Sequence, residues 1–213
     1  MDNALSIYED FFGEREGENH SFSFFRKPIR NVEPLRCITI PDIYRYIVGP
    51  YAQRQTETLR AIIEKDSERK YKAESLDVST FAGTFRIRNK SHLLLHSELL
   101  CIDFDHVADI PSLRERLLHD DYFETELLFR SPSGDGLKWV IDIERKGWEH
   151  CRFYNAVYNY LVASGYPEPD KSGSDVARSC FIPYDPEAYI NSKYPEYVRK
   201  ENFFTRAVGE CPF

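Results

Sequence analysis

The sequence lacks the features that mark membrane, secreted and zinc-binding proteins. No apolar run reaches the roughly 18 residues that a membrane-spanning helix needs. The first residues, Met-Asp-Asn-Ala, have neither the basic flank nor the apolar centre of a secretory signal. The five cysteines include no Cys-x-x-Cys pair, so we do not expect a zinc site built from cysteines. We therefore expect a cytoplasmic protein with no membrane partner.

Positive charge is also scarce. The 213 residues include 28 Lys and Arg against 35 Asp and Glu, for a net charge of −7, which argues against binding nucleic acid by bulk electrostatics. Residues 21–60 are the exception, with seven basic side chains against three acidic ones, interleaved with phenylalanines and tyrosines. This stretch can line a channel for a nucleic-acid strand, or its aromatics can form a core with a solvated basic rim.

Two carboxylates stand out in the segment Leu99-Leu100-Cys101-Ile102-Asp103-Phe104-Asp105. The segment alternates apolar and polar residues, and in a strand this alternation projects Asp103 and Asp105 from the same face. Like charges side by side repel each other, so a bound divalent cation is the simplest reason for the pair.

The pattern of elements predicts an α+β fold. Helices are expected over 41–48 and 52–70, in a mostly helical N-terminal lobe spanning residues 1–90. Residues 91–213 then read β-α-β-β-α-β, the order of the ferredoxin-like (RRM-like) fold. The predicted elements are strand 99–105, helix 110–119, strands 126–130 and 137–144, helix 148–164 and strand 177–183. In that topology the first and third strands are neighbours and the fourth borders the first on its other side.

Two loops would then meet the carboxylates. In Ser133-Gly134-Asp135-Gly136-Leu137-Lys138, the glycines Gly134 and Gly136 would let backbone amides approach a phosphate, Ser133 offers a hydroxyl, and Lys138 would share the carboxylate face. We expect Lys138 on an open polar face with few packing contacts. The alternative is a plain hairpin turn.

The second loop runs from Asp170 to Arg178 and adds two further carboxylates, Asp170 and Asp175, and the Arg178 guanidinium. Its alternative is a solvated loop with capping aspartates. Either aspartate can serve as a third acid.

Three segments carry a resemblance to a known family: Cys101 to Asp105, Phe129 to Lys138, and Asp170 to Arg178 followed by Tyr184-Asp185-Pro186. Together, over roughly residues 77–191, they resemble the N-terminal domain of virulence-associated protein E, which is found on mobile elements. That domain is similar to the archaeo-eukaryotic primase and primase-polymerase superfamily. The chain departs from the superfamily where Lys138 stands in place of a histidine.

The resemblance implies a primase-polymerase palm with metal-dependent nucleotidyltransferase activity. Asp103 and Asp105, with Asp170 or Asp175, would hold two Mg²⁺ or Mn²⁺ ions, and Asp103, Asp105 and Asp175 would be the catalytic acids. Nucleotide binding would fall to Ser133, Gly134, Gly136, Lys138 and Arg178. The expected partners are nucleoside triphosphates, single-stranded or primed nucleic acid from a mobile element or its replication system, and a helicase domain. Arg86, Arg88 and Lys90 would be further template contacts.

Two alternatives remain at this point. A degenerate primase fold could bind nucleic acid or a partner protein without catalysis, which the lysine substitution and the acidic composition favour. A metal-dependent nuclease or phosphodiesterase would use the same carboxylates.

Overall fold

The computed structural model describes residues 20–194, which form a mixed α+β structure of antiparallel sheets and five α-helices. The first half contains β1 (Phe22–Phe25), β2 (Arg36–Ile38), α1 (Ile40–Val48), α2 (Gln53–Arg60), α3 (Lys65–Ser75), β3 (Val78–Thr80), β4 (Gly83–Phe85) and β5 (Leu93–His96). The second half contains β6 (Leu99–Phe104), α4 (Ile110–Leu118), β7 (Thr125–Arg130), β8 (Leu137–Asp142), α5 (His150–Ala163), β9 (Cys180–Phe181) and β10 (Tyr189–Ile190). None of the helices within residues 20–194 combines the length and apolar character that crossing a membrane requires.

The sheet that carries the carboxylates has the strand order β10-β7-β8-β6. Strand β6 pairs antiparallel with β8, which places Asp103 directly opposite Lys138, and β8 pairs antiparallel with β7. The predicted adjacency of the first and third strands is therefore confirmed, together with the predicted helices α4 and α5.

The predicted position of the fourth strand is wrong. Strand β9 pairs with β3 in the other sheet, with Phe181 opposite Val78, and Ile182 donates to the Asp77 carbonyl. A strand of two residues makes few ladder bonds, so the apolar side chains of Cys180 and Ile182 decide its place by packing into the core near the first sheet. Beside β6 lies the loop at Asp170, whose amide donates to the Asp103 carbonyl.

The N-terminal part is not mostly helical, because its strands form a sheet in the order β2-β1-β3-β9. Helix α1 is confirmed, but the single helix expected over 52–70 is two helices. The break falls at 61–64, where the Glu64 side chain caps α3 by accepting from the amides of Asp66 and Ser67. Ile63 lies in this break and is 95% exposed.

The carboxylate-bearing sheet is covered on both faces. On one face Ile102 and Trp139 pack with Leu117 of α4 and Leu161 of α5. On the other, Leu99 and Val140 share a core with the first sheet and α1. The expectation of an open polar face is therefore wrong: Lys138 is only 8% exposed. The site lies where the two sheets and the Asp170 loop meet.

Candidate metal centre and adjoining cavity

Three carboxylates converge at the end of β6. Each of Asp103, Asp105 and Asp170 offers one oxygen, and these three oxygens lie within 4.8 Å of one another. Asp105 is exposed, whereas Asp103 and Asp170 are half-buried. The prediction that Asp103 and Asp105 share a face is confirmed, although Asp105 comes directly after the last residue of β6. Carboxylate oxygens are ligands that Mg²⁺ and Mn²⁺ prefer.

The Asp170 loop is held in place by hydrogen bonds from both sides. The Asp170 amide donates to the Asp103 carbonyl at 2.8 Å, and the Tyr154 hydroxyl of α5 donates to the Asp170 carbonyl at 2.6 Å. The loop also needs a glycine: a Cβ on Gly173 would lie 2.4 Å from the Tyr154 ring. These contacts bring Asp170 beside β6 although 67 residues separate it from Asp103 along the chain.

The carboxylate of Asp103 is only partly neutralised by its neighbours. Its Oδ2 accepts a hydrogen bond from the Lys138 ammonium, and its Oδ1 is buried without a hydrogen-bond partner among residues 20–194. Burial raises the pKa of Asp103, Lys138 lowers it, and Asp105 and Asp170 raise it again, with a net rise. A carboxylate with one unpartnered oxygen, in a cluster with two other carboxylates, is a group that a cation would stabilise.

The lysine is held in its charged form. Burial alone would lower the pKa of Lys138, but the neighbouring Cys180 and Asp103 outweigh it and the net change is a rise. The pKa values of both partners rise, but for different reasons: burial, with Asp105 and Asp170, raises that of Asp103, whereas the neighbouring acidic groups raise that of Lys138. The charged Lys138 therefore offsets only part of the negative charge of the three aspartates.

The surroundings of Asp170 favour its charged form. Burial would raise the pKa of Asp170, but hydrogen bonds from the Ser172 amide and hydroxyl, with the charges of Arg178 and Lys138, lower it overall. The Arg178 guanidinium lies 3.3 Å from the Asp170 carboxylate, and its side chain remains 53% exposed. It can therefore reach an anion without leaving the site.

The geometry separates the two candidates for the third acid. Asp175 is not in the cluster of converging carboxylates found among residues 20–194. Its Oδ1 accepts from the Ala177 amide at 3.0 Å, and the residue lies on the wall of the adjoining cavity. Asp170, rather than Asp175, accompanies Asp103 and Asp105.

A small cavity opens beside the carboxylates, with a volume of about 40 Å³. Asp103, Lys138 and Arg178 line it, together with His150, Gly173 and Cys180. This space suits a hydrated cation or the end of a phosphate chain, so the base and sugar of a nucleotide would lie outside it.

The family model for the BT4734-like N-terminal domain matches residues 71–190, which is more than half of the chain. The chain belongs to the BT4734-like N-terminal domain family. No curated protein and no solved structure matches it. The matched segment of this BT4734-like domain includes the three clustered aspartates, Lys138 and Arg178.

The predicted phosphate loop of the BT4734-like domain does not line the cavity, although Gly136 lies against the backbone of Phe104 and Asp105. Neither Ser133, Gly134 nor Gly136 lines the cavity. The Ser133 hydroxyl donates to the Glu68 carboxylate, and Arg60 donates to the carbonyls of residues 131 and 132. Gly136 is needed because a Cβ there would lie 2.2 Å from the Phe104 carbonyl oxygen. These contacts explain the turn by packing against the N-terminal part.

The basic N-terminal stretch also has a structural explanation. Phe24, Phe25 and Tyr46 are buried, and Arg45 pairs with Asp42 at 2.6 Å in the interior. Among the other proposed template contacts, Arg86 and Lys90 are exposed at the turn between β4 and β5, whereas Arg88 donates to the carbonyls at 29 and 31.

Sequence reasoning missed two histidines beside the site. His96 ends β5 and His150 begins α5, and their rings are hydrogen-bonded at 3.0 Å. They are 54 residues apart, and no spacing motif links them. The residues next to each histidine do not distinguish His96 and His150 from the other histidines of the chain.

Proposed function

We propose that this BT4734-like domain is a divalent-cation-dependent nucleotidyltransferase of primase-polymerase type. Its substrates would be nucleoside triphosphates and single-stranded or primed nucleic acid, in a replication system of a mobile element, with a helicase domain as a further partner. The proposal joins the resemblance to virulence-associated protein E with the ferredoxin-like order of β6, β8 and β7.

One observation carries the proposal: the three converging carboxylates include a buried, unpartnered oxygen, Oδ1 of Asp103. A carboxylate left without a partner costs folding free energy. Asp103, Asp105 and Asp170 together supply a donor set that suits Mg²⁺ or Mn²⁺ better than softer metals. This supports a cation as the missing partner.

The residues would divide the work of phosphoryl transfer. Asp103, Asp105 and Asp170 would hold the cations, which when bound lower the pKa of an attacking hydroxyl and stabilise the leaving pyrophosphate. Arg178, exposed beside Asp170, would meet a phosphate group at the mouth of the cavity. Lys138 would act from the cavity wall by limiting the negative charge on Asp103.

A second candidate is a degenerate primase fold that binds nucleic acid or a partner without catalysis. The specific observation in its favour is the buried bond from Lys138 to Asp103, because the ammonium supplies part of the charge that a metal would bring. The cavity lining includes neither Ser133 nor Gly134, which also favours a module without catalysis.

The first experiment measures Mn²⁺ binding by calorimetric titration in wild type and in single Asp→Asn variants of the cluster. Removing one charged ligand leaves the desolvation of the cation uncompensated, so Asp103→Asn, Asp105→Asn and Asp170→Asn should each weaken binding steeply. Asp121→Asn is the matched control, since Asp121 is exposed and outside the cluster. Equal affinity in all four variants and wild type would rule out the metal site.

The second experiment separates the enzyme from the binding module. Mn²⁺-dependent extension of a primed template should be abolished by Asp105→Asn, and because Asp105 is exposed, the loss would not reflect unfolding. Arg178→Ala should weaken nucleotide binding by roughly 1.5 to 3 kcal/mol, the usual value for a charged hydrogen bond. If wild type binds oligonucleotides in a salt-dependent way but neither binds nor incorporates nucleotides, the enzyme proposal fails and the binding module is supported.

A further inference from the structure

The two histidines behind the cavity form a continuous hydrogen-bonded chain. The Glu98 amide donates to His96 Nδ1 at 2.9 Å. Glu98 Oε1 is farther from this nitrogen, at 3.4 Å, and accepts from the Arg145 guanidinium. His96 Nε2 and His150 Nδ1 are 3.0 Å apart, and His150 Nε2 is 3.0 Å from the Gly173 carbonyl oxygen. Both histidines have little exposure, with 7% for the His96 side chain and 8% for His150. The chain therefore ends on the loop that carries Asp170.

The partners at the two ends dictate one arrangement of protons. Because an amide donates to His96 Nδ1, a neutral His96 carries its proton on Nε2 and donates it to His150 Nδ1. His150 must then carry its own proton on Nε2, facing a carbonyl that can only accept. We assign both rings to the Nε2–H tautomer, in which all four ring nitrogens are satisfied.

The surroundings favour neutral rings. Burial lowers the pKa of His96 to about 3, with Arg145 and His150 adding to the effect and Glu98 opposing it. Burial also lowers the pKa of His150, with help from Arg145, and outweighs the hydrogen bond to Gly173 and the charges of Asp175 and Glu98, which raise it. His150 begins α5, where the helix dipole disfavours a cation, and it lies near the Tyr154 ring.

We propose that His150, oriented by His96, is a positioning residue of the candidate metal centre, which holds the Asp170 loop against β6 through the Gly173 carbonyl. This inference rests on the proposed function for its consequence, metal affinity, but the holding of the loop can be measured without metal. Protonation of His150 at acid pH places a second donor on Nδ1, which faces the Nε2–H of His96, so His96 no longer orients the His150 ring.

The metal-free experiment follows hydrogen exchange at the amides of Asp170, Gly173 and Asp175, which are bonded within the loop or to β6. In His150→Ala these amides should exchange at least about five-fold faster, the factor that corresponds to losing one ordinary hydrogen bond. In His150→Gln, whose amide nitrogen can replace Nε2, they should stay close to wild type. Amides between β7 and β8 serve as the internal reference, and His119→Ala is the control for an exposed histidine.

The metal experiment measures Mn²⁺ affinity against pH for the same proteins. At pH 7.5, His150→Ala should bind about 10- to 100-fold more weakly, as is typical when a partner behind the ligands is lost, and His150→Gln should recover most of the affinity. On acidification, wild type should lose affinity more steeply than His150→Gln, because only wild type has the imidazole to protonate. A purely structural histidine would give parallel profiles, and that result would overturn the inference.

The two proposals fail in different ways. If loop exchange in His150→Ala equals wild type, or if ¹⁵N spectra of wild type place the His150 proton on Nδ1, the positioning role is wrong whatever the metal does. If wild type binds no Mn²⁺ but loop exchange responds as expected, the positioning role is supported and only the metal function is overturned.

Discussion

Replacing Lys138 with methionine should destabilise the fold at neutral pH, contrary to the expectation for a lysine on an open face. The substitution keeps most of the apolar stem but removes the ammonium that bonds Asp103. The two side chains are 10% and 20% exposed. Breaking a buried ion pair by removing one partner costs about 3 to 5 kcal/mol, and the residual exposure of Asp103 favours the lower end. For a domain of this size, about 3 kcal/mol corresponds to a fall of about 6 to 12 °C in the unfolding midpoint.

The pH dependence of this loss has a defined sign. Without Lys138, the pKa of Asp103 in the folded state rises further, because the group that lowers it is gone while burial and the neighbouring carboxylates remain. Asp103 of the folded variant then holds a proton more tightly than it does in the unfolded chain, so the contribution of this group to stability is greatest at low pH and falls as pH rises. The deficit relative to wild type should shrink between pH 7.5 and pH 4.5.

Thermal unfolding of four proteins tests the reasoning. Lys146→Met, at a side chain that is 72% exposed, should unfold within about 0.5 kcal/mol of wild type. Lys138→Met/Asp103→Asn should recover much of the loss, because no unpaired charge stays buried. Saturating Mn²⁺ should raise the midpoint of Lys138→Met more than that of wild type. If Lys138→Met unfolds at the wild-type temperature at pH 7.5, the buried pair does not contribute as argued.

Three further predictions concern the frame of the site. Gly173→Ala should cost about 1 to 3 kcal/mol in urea unfolding and weaken Mn²⁺ binding, because its Cβ would lie 2.4 Å from the Tyr154 ring; an unchanged urea midpoint would contradict this packing. Gly136→Ala should lower the unfolding free energy by at least about 2 kcal/mol, because its Cβ would lie 2.2 Å from the Phe104 carbonyl oxygen and the backbone moves less easily than a side chain. Wild-type stability of this variant would argue against the close approach. In wild type the unfolding free energy should fall as pH drops below 6.5, because the unfolded chain binds a proton that buried His96, with a pKa of about 3, does not. The slope of unfolding free energy against pH should exceed that of His96→Gln by an amount that approaches about 1.4 kcal/mol per pH unit. Equal slopes in the two proteins would place His96 in a more polar setting.

The local pattern of the sequence predicted correctly those features that depend on a single strand or helix. Alternation along β6 and β8 was enough to place Asp103 and Lys138 on one face, because successive side chains of a strand point to opposite sides. Asp105 follows directly after β6 and keeps to the same side. The order β6, β8, β7 followed from the same reasoning, since a crossover helix and a hairpin leave few topologies open. Helix α1 was also predicted at nearly its observed bounds.

The sequence did not reveal how deeply the site is buried. Period-2 alternation says that Lys138 shares a face with Asp103, but it does not say what covers that face. The first sheet covers much of it, so a lysine expected to be solvated is buried in an ion pair. The partners of the turn at Ser133 were hidden for a similar reason, because Glu68 and Arg60 reach it from elements more than 60 residues away.

The sequence by itself determined the chemistry available to this BT4734-like domain: two aspartates on one strand, a lysine across from them, and a later loop with two more acids and an arginine. Only the tertiary structure selected Asp170 over Asp175, joined His96 to His150, and moved β9 into the first sheet. Each of these outcomes depends on a few hydrogen bonds between segments far apart in the chain. Such contacts leave no periodic trace in the residues that make them, because the geometry that selects them comes from the packing of the whole core.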